Sequence, residues 1–283
     1  MSSWRFVLTP RWAGYFALVV VFAIVSVGFG NWQFDRRAEA QHAIGLVEDN
    51  YDREPEPLHE VLPTLDAYDD EQQWTPVVLQ GKYLRDEELL VRNRPLRGAP
   101  GFEVLTPLQL DDGSVFVVDR GWVPTGSAQD EPDAVPAAPE GRVTVVARLK
   151  AGEPTLPGRG APAGTNQIAT IHLTEVAERL GLPTYTGAYG LVASQDPAPA
   201  EALLTPPRPE PDEGPHLSYA LQWYVFALLA FVGLGWALRQ EYRVVNSDDE
   251  RVRRAAERRE SRRSRRAPTD DEIEDALLDE ARG

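Results

Sequence analysis

The chain has no cysteine. That excludes a disulfide framework, a thiolate metal site and a cysteine nucleophile. It fits either side of a membrane and so assigns no compartment. Histidines are few: His42, His59, His172 and His216, with no two at ligand spacing. No Gly-x-Ser-x-Gly elbow, phosphate loop or His-Glu-x-x-His pattern occurs. The 44 acidic residues form no paired constellation: Asp111 and Asp112 mark a turn, and residues 69–71 a solvated run. The chain therefore reads as a non-enzyme. It has no internal repeat.

Two stretches, residues 12–34 and 217–238, lack charge altogether. A hydrocarbon core ~30 Å thick needs about 20 apolar residues at 1.5 Å rise each. Both runs meet that length, so 12–34 and 216–238 read as transmembrane helices, although the chain-average hydropathy is that of a soluble protein. The first run is too long for a signal core of roughly 7–15 residues, and no Ala-x-Ala-like site follows it. It reads as a retained anchor.

Charge sets the expected orientation. The net charge is −15, and residues 35–215 hold 31 acidic against 15 basic residues. That balance argues against a nucleic-acid partner for the middle domain. Arg5 and Arg11 precede the first run; Arg239, Arg243 and an arginine-rich block at 251–266 follow the second. Basic flanks stay on the cytoplasmic side. Both termini are thus expected in the cytoplasm and the middle domain outside the cytoplasmic membrane. Arg36 and Arg37 point the other way, but a loop this long translocates largely regardless of charge. The arginine block suits anionic lipid headgroups.

The expected division is a cytoplasmic N-terminus (1–11), a span (12–34), a β-rich domain (35–194), a Pro-rich linker (195–215), a span (216–238) and a charged cytoplasmic tail (239–283). The tail is expected to be mostly disordered, with a capping-box pattern at Thr269 and Glu272 before a last helix. In the domain, β-branched runs at 74–83, 88–94, 102–110, 114–123 and 142–149 read as strands, and 189–193 as one more. Asp112-Gly113 is a hairpin turn. Residues 174–180 read as a helix with Thr174 as N-cap and Gly181 as its stop. The fold class is a membrane protein with two transmembrane helices flanking an antiparallel β-rich α+β extracytoplasmic domain.

The second span opens with His216, Tyr219, Gln222 and Trp223. At 100° per residue, His216, Tyr219 and Trp223 share one face. The first span closes with Asn31, Trp32 and Gln33, at the same depth in the expected topology. Aromatic residues gather at membrane interfaces in general, so a plain anchor explains the second cluster alone. Two plain anchors do not require two such clusters to converge. Ser26 and Gly30, and Gly233 and Ala237, are small residues four apart that permit close helix approach. They suit either packing of the two spans on each other or docking of a partner.

These residues also carry a resemblance. Gly30-Asn31-Trp32-Gln33-Phe34-Asp35-Arg36 resembles the Gly-x-Trp-Gln-x-x-Arg motif of the Surfeit locus protein 1 family. Asn93-Arg94-Pro95 with Pro100-Gly101-Phe102 resembles its next signature, and Arg120-Gly121-Trp122-Val123-Pro124 the one after. His216-Leu217-Ser218-Tyr219-Ala220-Leu221-Gln222-Trp223 resembles its closing His-Leu-x-Tyr-Ala-x-Gln-Trp motif. The four stand in family order over roughly 14–239. Two positions depart from the pattern: Gly214-Pro215 stand where asparagine often precedes the histidine, and Ala38, Glu39 and Ala40 where a lysine is usual.

The resemblance implies an assembly factor for haem-copper cytochrome c oxidase that assists haem a delivery or stabilises an assembly intermediate of the catalytic subunit, with haem a as cofactor and His216 as the iron ligand. Trp32, Gln33, Tyr219 and Trp223 would then line the cofactor. Gln222, Arg94, Arg120 and Trp122 are candidate partner contacts. The bland alternative for the last three is an arginine stacked on tryptophan to close a hairpin. Implied partners are the oxidase catalytic subunit or a respiratory supercomplex, and membrane lipids. Two other classes compete: a stable accessory subunit of a respiratory oxidase, and a two-span receptor or sensor. The receptor class needs an organised cytoplasmic module, which the tail sequence does not offer.

Overall fold

Helix α1 (Pro10–Asn50) is 41 residues long and does not stop with the uncharged run at Phe34. Residues 35–50 contain no proline, and Ala38, Glu39, Ala40, Gln41 and Ala43 favour continued helix. Asn50 ends it, donating its side-chain amide to the carbonyls of Glu71 (2.8 Å) and Gln73 (2.9 Å). The other long helix, His216–Val245, likewise runs past Leu238. Both are long and apolar enough to cross a membrane. This computed structural model describes residues 4–127, 131–156, 158, 164–247 and scattered positions from 250 to 261. The expected helix after Thr269 lies outside the described residues, as does most of the arginine block. The chain divides into two compact units, Met1–Ala38 with Gly214–Gly283, and Glu39–Glu213.

The second unit is a β-barrel with short additions. Its elements run β1 (Glu56–Pro57), α2 (Leu58–Val61), β2 (Pro76–Tyr83), β3 (Leu89–Val91), β4 (Gly101–Leu110), β5 (Val115–Pro124), β6 (Val143–Ala151), β7 (Gln167–Ile168), α3 (Leu173–Leu180) and β8 (Ala188–Asp196). The sheet order is β1-β2-β6-β8-β5-β4-β3-β7, and pairing of Gly81–Tyr83 with Leu108–Leu110 closes it. The expected all-antiparallel pattern fails at three places. β5 and β8 pair in parallel through Val118–Gly190 and Asp119–Leu191, as do β1 with β2 and β3 with β7. Closure explains the first: β8 has to fit between β5 and β6, and it is antiparallel to β6.

Alternation builds the interior. In β6, Val143, Val145, Ala147 and Leu149 point inward, joined by Val77 and Leu79 of β2 and Phe116 and Val118 of β5. Val117, on the opposite face of β5, packs with Leu89, Val91 and Leu105 beneath Leu173 and Val176 of α3. That covers β5 on both sides. The cap of α3 is His172, whose Nδ1 accepts from the Glu175 N–H at 3.4 Å, rather than Thr174. Gly181 stops the helix in the left-handed conformation, as its sequence position suggests. The Pro-rich stretch expected as a plain linker contributes too: its first residues belong to β8, and Leu204 exchanges backbone hydrogen bonds with Trp122.

A β-bulge sits at the centre. Val104 pairs with Gly121 and Leu105 with Asp119, so Arg120 is the extra residue. Gly121 takes φ +134°, and a Cβ there would lie 2.7 Å from Leu203 and Leu204. The bulge places Asp119 inside the protein, 2% exposed. Its Oδ1 accepts the Gly121 N–H at 2.9 Å, while Oδ2 has no partner among the described residues. Nearby, Arg94 pairs with Glu103 at 3.1 Å and with Glu153. Lys150 acts electrostatically on all three carboxyls. Three carboxyls facing two cations balance with one bound proton. Burial, then the Glu103 charge, hold the Asp119 pKa well above the usual carboxylate range. Burial likewise raises Glu103, against Arg94 and Lys150. At Glu153 burial acts upward, but hydrogen bonds from Arg94 and the Ile171 N–H bring the net shift down. Burial also raises the phenol of Tyr189.

The direction of the Asp119 shift fixes a pH dependence. A raised folded pKa gives stability that is full below the unfolded value of about 3.9 and is lost as pH rises through the folded value. Asp119→Asn keeps an acceptor for the Gly121 N–H and cannot ionise. Its melting temperature should therefore gain on the unmodified protein as pH rises from about 5 to about 9. Thermal unfolding across that range is the check; parallel profiles would contradict the protonated Asp119.

Candidate functional site

The first unit brings the two motif-bearing helix segments together. We label His216–Val245 α4. Side chains along both helices pair them antiparallel. Trp4 stacks on Tyr242 at 4.3 Å, and Arg11 pairs with Glu241, at one end. Phe29 stacks on Trp223 at 4.9 Å toward the other. The seam between them is small: Ala23, Ser26 and Gly30 of α1, and Ala220 and Ala227 of α4, are buried. A Cβ on Gly30 would lie 2.7 Å from the Tyr224 ring, so glycine is needed for that approach. Of the two small-residue pairs, Ser26 and Gly30 thus pack the helices, whereas Gly233 faces open space.

Close approach lets polar groups meet. The Tyr224 hydroxyl donates to Asn31 Oδ1 at 2.6 Å. His216 Nδ1 lies 2.8 Å from Gln33 Oε1. A carbonyl oxygen only accepts, so Nδ1 is the donor, and in the neutral ring that leaves the lone pair on Nε2. Nε2 has no hydrogen bond among the described residues. Gly214, at φ +66°, has no side chain; a Cβ there would sit 3.4 Å from Nε2. That space stays open beside the nitrogen best suited to bind a metal.

The sequence-predicted set therefore divides. His216, Gln33 and Trp223 are half-buried at the seam. Trp32 (50% exposed) and Tyr219 (48%) lie on the helix surfaces with no ring partner among the described residues. Gln222 is exposed as well. The Asn31–Tyr224 bond and the room left by Gly214 are contributions that motif reading did not assign. Only the paired helices show that Asn31 faces Tyr224. The glycine before the histidine was visible, but only as a departure from pattern.

Arg120 and Trp122 are buried in the barrel unit, whereas Arg94 is half-buried. The Arg120 side chain is 2% exposed. It binds Glu88 at 2.9 Å and the Pro136 carbonyl at 2.9 Å, and lies over the Tyr83 ring. Burial lowers its pKa, opposed by Glu88. Trp122 is 5% exposed and donates its indole N–H to the Arg94 carbonyl at 2.6 Å. The expected arginine-on-tryptophan stack is replaced by that hydrogen bond and by the Arg94–Glu103–Glu153 cluster. As candidate partner contacts, Arg120 and Trp122 thus have little exposed surface and hydrogen-bond partners of their own within the barrel unit. The barrel unit also holds a cavity of about 590 Å³, lined by Ala43, Ile44, Val47, Trp74 and Arg208 among others, and none of the predicted site residues borders it.

Of the other histidines, His42 is exposed and 3.3 Å from Glu71, His59 is exposed, and His172 caps α3. Among the described residues no group of three or more His, Asp or Glu side chains is placed to hold a metal ion.

Comparison with known proteins bears on all of this chain's motifs. A sequence model of the SURF1 family matches residues 20–228. An uncharacterized SURF1-like protein of Mycobacterium tuberculosis is 31% identical over 246 residues, 86% of this chain and 89% of the relative. One from Mycobacterium bovis matches to the same extent. A SURF1-like protein of Monosiga brevicollis is 28% identical over 232 residues, 74% of this chain and 82% of its own length. The family match takes in the end of the uncharged run, the barrel and the start of α4, and with it His216, Gln33, the bulge and the seam: the chain belongs to the SURF1 family.

Proposed function

We propose that this protein is a non-enzymatic assembly factor for a haem-copper cytochrome c oxidase, holding haem a on His216 close to the catalytic subunit or a respiratory supercomplex. One observation carries the reading: in a SURF1-family chain, a histidine at the start of an apolar helix is oriented by a glutamine from the paired helix, 2.8 Å away. The chain's residues suit a porphyrin. Nε2 is the available ligand atom, and Gly214 leaves room beside it. Trp32 and Tyr219 present flat apolar area without a ring partner. When bound, the haem would supply an iron that the His216 imidazole could ligate.

The same helix pair supports membrane insertion. Large apolar side chains such as Phe16, Val21, Ile24, Leu228 and Val232 are exposed along it, a surface water would penalise and lipid would not. Polar contacts close the pair at both ends: Arg11 with Glu241, Gln33 with His216. Arg11 and Gln33 are separated by about 33 Å of helix at 1.5 Å per residue, close to the ~30 Å hydrocarbon thickness. The basic flanks support a topology with both termini in the cytoplasm and the barrel unit outside the cytoplasmic membrane. The cofactor end of the pair would then lie at the outer boundary.

Two experiments test this. His216→Ala leaves the apolar run intact, so insertion should persist, while haem a co-purifying with the protein should fall by more than about tenfold, the scale that losses beyond the ligand shell already reach. His42→Ala should change neither. Full haem content and normal oxidase levels in His216→Ala would contradict the ligand assignment. For orientation, a reporter active only outside the cytoplasm should give signal when fused at Gly126 and none when fused after Arg266. The reverse pattern would overturn the topology.

A further inference from the structure

We infer that Gln33 is the positioning residue for His216: its amide oxygen fixes the imidazole proton on Nδ1 and presents the Nε2 lone pair to the space that Gly214 leaves open. The inference rests on reading His216 as the haem ligand and goes beyond it. Motif reading offered Gln33 as a direct cofactor contact. The geometry instead spends its acceptor on the histidine.

Three observations carry it. First, the contact runs from the side-chain oxygen of Gln33 to Nδ1, at 2.8 Å, between two helices. A ligating histidine whose other nitrogen is hydrogen-bonded has its tautomer and ring orientation set by that partner. Second, the seam behind the pair is held by close packing at Ser26, Gly30 and Ala220, so α1 offers Gln33 from a fixed position. Third, the open side is built locally. Gly214 adopts φ +66°, a region that disfavours residues with a side chain, and a Cβ would touch Nε2 and Cδ2 at 3.4 Å.

A competing role is mere helix adhesion, since polar side chains hydrogen-bond across membrane helices in general. The Asn31–Tyr224 bond provides the internal control, because it joins the same two helices at 2.6 Å without touching His216.

The test uses the full-length protein in lipid nanodiscs, free of haem, with isotope-labelled histidine. Nitrogen NMR at alkaline pH reports which ring atom holds the proton. The unmodified protein should show His216 protonated at Nδ1 alone. Gln33→Leu should give a mixture of tautomers and weaken binding of added ferric haem a by about ten- to a hundredfold. Gln33→Glu, which keeps an acceptor, should restore the Nδ1–H form. Asn31→Ala should leave the tautomer unchanged. Gly214→Val should keep the tautomer and still weaken haem binding, because it fills the open side. An unchanged tautomer in Gln33→Leu, or the same tautomer change in Asn31→Ala, would overturn the positioning role. Failure of the underlying reading is distinguishable: haem a binding would then survive His216→Ala, whatever the tautomer in the Gln33 variants.

Discussion

Close approach of α1 and α4 over Ser26, Gly30, Ala220 and Ala227 lets a glutamine and a histidine 183 positions apart in the chain meet. Without hydrophobic attraction between helices in lipid, small residues and hydrogen bonds are what hold a pair. Here the small residues set the separation and the polar residues use it. Replacing Gly30 would push against the Tyr224 ring, and that ring carries the hydroxyl bound to Asn31. Packing at the seam and polar chemistry at its end therefore cannot be changed independently. The aromatic groups split along the same line: Phe29 and Trp223 stack across the pair, whereas Trp32 and Tyr219 are exposed on the helix surfaces.

The barrel unit follows a different logic. Its strands alternate cleanly, and α3 seals one outer face of β5. Its motif residues act inward. Arg120 is the extra residue of a bulge and neutralises Glu88; Trp122 ties its strand to the turn at Arg94; Gly121 makes room for the returning segment at Leu203 and Leu204. A buried charge without its partner costs several kcal/mol, so such a network ties its residues to one another whatever the unit's task. In the barrel, then, the motifs keep the fold, and in the helix pair they build the proposed site.

The sequence disclosed these two layers unequally. Uncharged runs and the i, i+3, i+7 spacing of His216, Tyr219 and Trp223 pointed to a site where two helices meet, because both signals are local. Strand positions were legible for the same reason: alternation in 142–149 reappears as Val143, Val145, Ala147 and Leu149 inside the barrel. What stayed hidden depends on long-range closure. Parallel pairing of β5 with β8 has no local signature, nor does the register shift that buries Asp119. Arg36 and Arg37 masked the continuity of α1, since charge after an apolar run reads as a membrane boundary although helix propensity persists to Asn50. Gly214 was visible but looked like a loss, and only its left-handed backbone beside Nε2 gives it a use.

The central claim is that His216 presents Nε2 to a haem iron. Pulsed electron paramagnetic resonance on the full-length protein loaded with ferric haem a, with isotope label confined to histidine, reads this directly. The account predicts a strong hyperfine coupling from one axial histidine nitrogen, with a weaker remote coupling from a protonated Nδ1. Absence of any histidine coupling to the bound iron would contradict it.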